Sequence, residues 1–260
     1  MIIKPSGKDV KSKNKTRKIL KITMITMSVV MLVLVLAWGG LFLKMKSEIK
    51  EFAPMETRHI VDNISVVKDD FANVFILQDS AQYVVIDCAI NPAIVAEQMG
   101  KLGINPDDVV AVFLTHTDED HVGALSLFNK AKLYMPKEEE KMIDGTNPDF
   151  LWFGNSLSRT DYILLDDRET VQIGNLKFEA FLAPGHTSGI SAYLVNDKYL
   201  FIGDIASLKN GKIAPVPAFF DRDSEQAVKS HEVIRHIPTA EYIFTGHWGY
   251  TDDYPTAVKK

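Results

Sequence analysis

The stretch LTHTDEDHVGA, residues 114–124, follows the apolar run 109–114 (VVAVFL) and packs His116, Asp118, Glu119, Asp120 and His121 into six consecutive positions. A run apolar at nearly every position reads as a strand buried on both faces. The cluster therefore stands at a strand's C-terminal end, where α/β sheets tend to build their sites. Taken alone it has a plainer reading: a helix N-terminus whose acids complement the positive end of the helix dipole. A calcium loop fails, because Val122 occupies the position where EF-hand spacing from Asp118 and Asp120 requires another oxygen ligand.

Outward from this stretch the pattern is that of an α/β domain. Upstream, residues 61–67, 74–78 and 83–86 read as short strands parted by polar turns, at spacings that suggest an antiparallel or mixed sheet. An amphipathic helix over 93–102 opens at Asn91-Pro92 and ends at Gly103. Another helix is expected from Gly123 onward. Downstream, strands are expected over 132–135, 162–165, 171–173, 176–182, 191–195, 199–202 and 242–244, with a helix over 224–236. Residues 136–160 form a less regular insertion around Phe150, Leu151, Trp152 and Phe153, read as a core contact, a pocket lip or a membrane contact.

Three of the downstream strands end as 109–114 does. Strand 176–182 is followed by PGHTSG (184–189), strand 199–202 by Gly203-Asp204, and strand 242–244 by Gly246-His247. Each places a histidine or aspartate beside a glycine that lets backbone approach closely. His116, His121, His186 and His247 thus fall at strand ends. The other three histidines do not: His231 and His236, five apart on the expected helix, miss the i,i+4 spacing of paired ligands and read as solvated or partly packed, and His59 reads as a surface group. Four converging strand ends weigh far more than one.

HTDEDH, PGHTSG, GD and GH, in this order, resemble the metallo-β-lactamase-fold hydrolases over roughly residues 57–250. The resemblance implies an α/β (α+β) fold, a four-layer αββα sandwich with a dinuclear metal site at one edge. Carried over by position, it implies one metal held by His116, Asp118 and His186, a second held by Asp120, His121 and His247, and Asp204 bridging the two. It also implies that Asp120 is catalytic, orienting the attacking water and helping to move its proton, while Glu119 faces solvent. Two divalent ions, Zn2+ or else Mn2+ or Fe2+, would make water acidic enough to attack near neutral pH. Asp118 is a departure, since the family pattern has histidine there. A carboxylate still ligates zinc, while moving preference toward harder ions. Both sites filled and the first site weak or empty are both open readings. His186 and His247 need acceptors for their outer ring nitrogens, which the sequence does not name.

Residues 1–21 carry eight basic residues and one acid, leaving 21 basic and 33 acidic residues beyond, a body near −12. Residues 22–43 hold no charge. As a helix they would reach roughly 33 Å, against a hydrocarbon core of about 30 Å. The expected organisation is a basic cytoplasmic tail (1–21), a transmembrane anchor (22–43), a stalk (44–56) and the hydrolase domain (57–260). The positive-inside rule puts the N-terminus in the cytoplasm and the domain on the extracytoplasmic side of the cell membrane. A cleaved signal peptide, with Val35 and Ala37 before a cut at Trp38, is the competing reading. Either exports the body. Cys88 is the lone cysteine, so no internal disulfide forms, and in VVIDCAI it reads as a buried small residue.

The expected partner is a small-molecule substrate: an ester, lactone, thioester or amide, β-lactams included. Only 13 residues follow His247, too few for the C-terminal helical domain with which type-two glyoxalases bind glutathione. The acidic body argues against nucleic acid. Two alternatives stand beside this reading: an exported phosphodiesterase or nuclease-like hydrolase, since the HxDxDH variant also resembles domains of DNA-uptake channels, and a non-catalytic metal-binding sensory module. The stretch 207–222 is the expected substrate loop.

Overall fold

The computed structural model describes residues 7–144, 146 and 155–260, and the chain divides into two units, Met1–Glu51 and Phe52–Lys260. In the first unit, helix α1 (Gly7–Ile49) includes a span, Arg17–Ile49, long and apolar enough to cross a membrane. Its large apolar side chains, from Ile19 to Leu43, are exposed. The hydroxyls of Thr23 and Thr26 donate to the carbonyls of Ile19 and Ile22 at 3.1 and 2.9 Å, so these polar groups are satisfied within the helix. α1 runs on to Ile49, into the segment expected to be a stalk, and Met55 is buried in the second unit, its N–H donating to Asn73 Oδ1 at 2.9 Å. Phe150, Leu151, Trp152 and Phe153 lie outside the described residues.

In the second unit, seven strands form a sheet in sequence order among the described residues: β1 (Arg58–Val61), β2 (Ile64–Lys68), β3 (Asn73–Asp79), β4 (Gln82–Ile86), β5 (Val109–Phe113), β6 (Lys132–Pro136) and β7 (Tyr162–Leu165). The first four pair antiparallel and the last four parallel, so the sheet is mixed. Parallel pairing requires crossovers. Helix α2 (Pro92–Lys101) makes the first, capped by the Asn91 side chain. Short helices α3 (Glu119–Val122) and α4 (Glu140–Ile143) follow β5 and β6. The expected strand 61–67 is instead a hairpin. Asp62, at φ 49°, and Asn63 turn the chain between β1 and β2, because both residue types tolerate turn conformations that no strand uses. The helix expected from Gly123 begins earlier, inside the cluster, and continues as a 3-10 turn over Leu125–Phe128.

The second sheet comprises β8 (Thr170–Ile173), β9 (Leu176–Leu182), β10 (Ser191–Val195), β11 (Tyr199–Phe201), β14 (Tyr242–Phe244) and β15 (Tyr250–Thr251). Between β11 and β14 lie the hairpin β12 (Ser207–Lys209) and β13 (Lys212–Ala214) and helix α5 (Ser224–Arg235); α6 (Tyr254–Ala257) follows β15. The hairpin occupies the start of the stretch expected to be a substrate loop. Its turn is Asn210-Gly211, both at positive φ, a dipeptide suited to tight hairpins.

Three apolar layers bind these elements into a helix–sheet–sheet–helix stack. One lies between α2 and the first sheet (Val95, Met99, Val85, Val112), and another between the second sheet and α5 and α6 (Leu200, Ile243, Ile234, Ala257). Between the sheets, Phe113 of β5 stacks on Tyr134 at 4.6 Å and on Phe178 of β9 at 4.1 Å. Burial of a side chain of this size contributes roughly 1.5–3 kcal/mol. This αββα sandwich sets the C-terminal ends of β4, β5, β9, β11 and β14 along one edge.

Candidate metal centre

Strand ends deliver the seven predicted residues to that edge. His116 follows β5, His186 follows β9, Asp204 follows β11 and His247 follows β14, while Asp118, Asp120 and His121 sit at or within α3. Two backbone features let the loops approach. Gly203 at φ 49° carries no side chain where a Cβ would lie 2.4 Å from Thr115 Oγ1, and a Cβ on Gly246 would lie 2.3 Å from Asp204 Oδ1. The two loops are joined by Gly246 N–H donating to Gly203 C=O at 2.9 Å.

The ligand-capable atoms converge as three overlapping triads, His116–Asp118–His186, Asp120–His121–His247 and His116–His121–Asp204, each within 4.8 Å. Asp118 Oδ2 lies 3.7 Å from His116 Nε2 and 3.3 Å from His186 Nε2. Asp120 Oδ2 is 3.4 Å from His247 Nε2. Asp204 stands between the groups, with Oδ2 3.0 Å from His247 Nε2 and 3.7 Å from His186 Nε2, and Oδ1 3.6 Å from His121 Nε2. Glu119 is exposed.

Each imidazole is oriented from behind. Thr115 Oγ1 donates to Asp87 Oδ2 at 2.8 Å and so accepts from His116 Nδ1–H at 3.0 Å. Asp87 Oδ2 also accepts from His121 Nδ1–H at 2.9 Å. Asp221 Oδ1 accepts from His186 Nδ1–H at 3.3 Å, and the Phe71 carbonyl from His247 Nδ1–H at 2.6 Å. With Nδ1 engaged in all four rings, all four Nε2 lone pairs face the centre. The hydrogen-bond network assigns these tautomers.

The residues behind the ligands are mostly ones that sequence reasoning missed. Asp87 ends β4 as His116 ends β5, so the strand-end signal was present in VVID. Asp221 sits in the expected substrate loop, and Asn155 and Glu139 lie in the irregular insertion, where no local pattern marks them. Glu139 is fully buried. It accepts from Thr117 N–H and Oγ1–H at 2.8 and 2.7 Å, from Thr187 Oγ1–H at 2.5 Å and from Gly189 N–H at 3.0 Å, tying the loop after β5 to the loop after β9. Asp118 occupies the N-cap position of α3 but makes no capping bond. Its Oδ1 instead accepts from Asn155 Nδ2–H at 2.8 Å, leaving Oδ2 for the centre. Asp118 is therefore not a capping residue.

A family model for the metallo-beta-lactamase superfamily matches residues 67–247. The chain belongs to this superfamily. It is 26% identical over 156 residues to a probable metallo-hydrolase of Methanocaldococcus jannaschii, covering 60% of this chain and 65% of that one. It is 27% identical over 198 residues to a hydroxyacylglutathione hydrolase of Bdellovibrio bacteriovorus, covering 74% and 69%. It is 31% identical over 180 residues to the probable polyketide biosynthesis zinc-dependent hydrolase PksB of Bacillus subtilis, covering 64% and 71%. The chain thus spans about two thirds of these relatives' length. Among solved structures, BJP-1, a subclass B3 metallo-beta-lactamase of Bradyrhizobium japonicum, shares the fold at a TM-score of 0.59 and 18% identity, over 75% of this chain and 79% of that one. A B3 metallo-beta-lactamase described as having an active site glutamic acid matches at 0.61 and 20%, over 83% and 91%.

The donor set of this superfamily member fits divalent cations. Nε2 of His116, His121 and His247 and Oδ1 of Asp204 are buried without a hydrogen-bond partner among the described residues, a costly arrangement that cation ligation relieves. Charges in the cluster are strongly coupled. Burial, with His121 nearby, holds His116 well below the usual imidazole range. Burial opposes charge on the other three rings too, yet carboxylates outweigh it: Asp87 and Asp204 raise His121 well above its ordinary value, Asp118 and Asp221 do so for His186, and Asp204 raises His247. Burial alone would lift the Asp118 and Asp204 carboxyls. The His186 and His116 rings hold Asp118 low, and His247 and His121 hold Asp204 low.

The remaining histidines stay away from the centre. His59 and His236 are exposed. His231 departs from the solvated reading: it is buried on α5, where Nε2–H donates to the Ile205 carbonyl at 3.1 Å. Cys88 is fully buried, and burial pushes its thiol well up, away from nucleophilic chemistry.

Proposed function

We propose that the chain is an exported, membrane-tethered hydrolase that uses two divalent cations, zinc first among them, to cleave a small ester, lactone, thioester or amide, β-lactams included. The observation that carries this reading is the convergence of four Nε2 lone pairs and three carboxylates, each imidazole fixed by its own acceptor. His116, Asp118 and His186 would hold one cation, Asp120, His121 and His247 the other, and Asp204 would bridge. Bound cations supply Lewis acidity, polarising a carbonyl oxygen and making water acidic enough to attack near neutral pH. Similarity to a hydroxyacylglutathione hydrolase and to a probable zinc-dependent hydrolase supports the reaction class.

The chain's own groups divide the work. Asp118 and Asp120 are the ligand-capable carboxylates with substantial exposure, their side chains 24% and 25% accessible against 7% for Asp204. Of these two, Asp120 would orient an attacking water and take its proton, the role that the family resemblance implies for this position. Asp204 is shielded and holds position. Asn155 fixes Asp118 through Oδ1 so that Oδ2 stays directed at His116 and His186.

Metal analysis of the full chain in detergent, with a panel of chromogenic ester, lactone, β-lactam and phosphodiester substrates, tests this reading. Two equivalents of metal are expected, with turnover of a carbonyl substrate that falls about 100-fold or more in Asp120→Ala. Less than one equivalent with no turnover on any substrate favours a binding module, and turnover confined to the phosphodiester favours the nuclease-like alternative.

A further inference from the structure

Four aromatic rings from separate parts of the chain meet beside His247. Phe52 stacks on the His247 ring at 4.2 Å with the planes 16° apart. Phe71, 6.1 Å from Phe52, supplies the carbonyl that orients His247. Phe220 and Trp248 lie 5.6 and 5.0 Å from Phe52. All four rings are partly exposed. Phe71 and Trp248 also border the His247 ring, at 6.1 and 5.4 Å, and all four residues keep part of their surface accessible beside a centre built from ionisable groups. Such surface is recovered when a ligand's apolar part covers it. Phe220 directly precedes Asp221, the acceptor for His186, so the aromatic group reaches from the His247 side of the centre to the His186 side.

Beside Asp118 the chemistry differs. A cleft of about 450 Å³ there is lined by Thr117, Asn155, Ser156 and Ser158 together with Glu119, Val122, Gly123 and Leu157, and Asn155 is the residue that holds Asp118. One flank of the centre is therefore aromatic and the other rich in hydroxyl and amide groups.

We propose that Phe52, Phe71, Phe220 and Trp248 form the subsite for an apolar acyl group, so that the substrate is an ester or amide with an alkyl or aryl acyl chain on the aromatic flank and its polar leaving group toward Asn155 and Ser156. This rests on the hydrolase reading above and names its substrate class. The acyl carbonyl then lies between the flanks, beside Asp120, and the apolar chain selects among esters that the centre alone does not distinguish.

The test uses the full chain in lipid nanodiscs and two probe series: n-alkyl carboxylates from acetate to octanoate for binding, and the matching p-nitrophenyl esters for turnover. Affinity and kcat/KM are expected to rise with chain length, by roughly fourfold for each methylene fully buried. Phe52→Ala and Phe220→Ala flatten both slopes, Phe52→Leu retains most of them, and metal content is measured in every variant. Discs carrying Phe52→Ala also correct for partition of the probes into lipid. Phe220→Ala decides the matter if Phe52→Ala disturbs His247, because the Phe220 ring meets Phe52 and Phe219. Binding that climbs with chain length while neither these esters nor any carbonyl substrate of the earlier panel nor the matching p-nitroanilides are cleaved sinks the hydrolase reading and leaves the subsite standing. Turnover of the acetyl ester with flat slopes, or slopes untouched by both alanine variants, overturns the subsite. Given the slope, faster cleavage of the same ester embedded in vesicles identifies the acyl source as a membrane lipid, and equal rates identify it as a soluble ester.

Discussion

At the scale of single residues, Asp118 is the position where sequence and structure bear most directly on each other. Its carboxylate makes no helix cap, is held by Asn155, and turns its free oxygen toward His116 and His186. A decayed ligand position would have no need of a dedicated donor. The oxygen ligand shifts preference toward harder ions. Asp118→His is therefore expected to raise zinc selectivity over manganese in competition experiments read by elemental analysis, and Asn155→Leu to weaken the metal beside Asp118 by about tenfold or more. The imidazoles give a prediction in pH. In the metal-free protein His121, His186 and His247 keep their protons to higher pH than an ordinary histidine, yet ligation requires the neutral ring. Cation uptake thus releases protons. Apparent affinity should climb as pH rises through and above the usual imidazole range, and calorimetry in buffers of different ionisation enthalpy reads the proton count. Uptake without proton release would contradict this arrangement.

At the scale of elements, the loops after β5 and β9 are held together by one buried carboxylate. Glu139, in the turn after β6, takes four hydrogen bonds from Thr117, Thr187 and Gly189. Burial raises its pKa, and the hydrogen bonds from Thr187 and Thr117 pull the other way. Glu139→Ala leaves buried N–H and O–H groups of two ligand-bearing loops without an acceptor. Each such group costs about 1–3 kcal/mol, so a loss of roughly 3 kcal/mol or more is expected from denaturant midpoints, together with loss of metal at His116 and His186. Glu139→Gln should be milder, because its amide oxygen still accepts. Among the elements themselves, strands 162–165, 176–182, 191–195 and 242–244 match their sequence patterns residue for residue. The misread strand has a local cause. Asp62-Asn63 turns the chain within two residues, Asp62 at positive φ, inside a run whose flanking apolar residues continue the strand period, whereas the Asn210-Gly211 hairpin falls in the stretch expected to be a loop.

At the scale of the whole molecule, a basic segment and an apolar helix precede an acidic, αββα body. For a chain tethered with its N-terminus in the cytoplasm, protease added to spheroplasts should remove the body and leave the first 21 residues protected; a protected body would refute the exported assignment. The motifs were legible in the sequence by itself, and the resemblance they carry implied the superfamily, the order of the layers and the seven residues that meet at the centre. Those features are written locally: apolar strands end in HTDEDH, PGHTSG, GD and GH, and an α/β sheet gathers its strand ends at one edge. Only the tertiary structure decided what stands behind and beside those residues. Asp87 reaches His121 across 34 positions, and Glu139 reaches Gly189 across 50, through a register that no local period encodes. Phe52 lies on His247 because the entering segment packs across the edge where β14 ends. Ligands at strand ends follow from chain pattern, whereas the groups that orient them and the surface that would receive an acyl chain follow from which loops the packed sheets bring together.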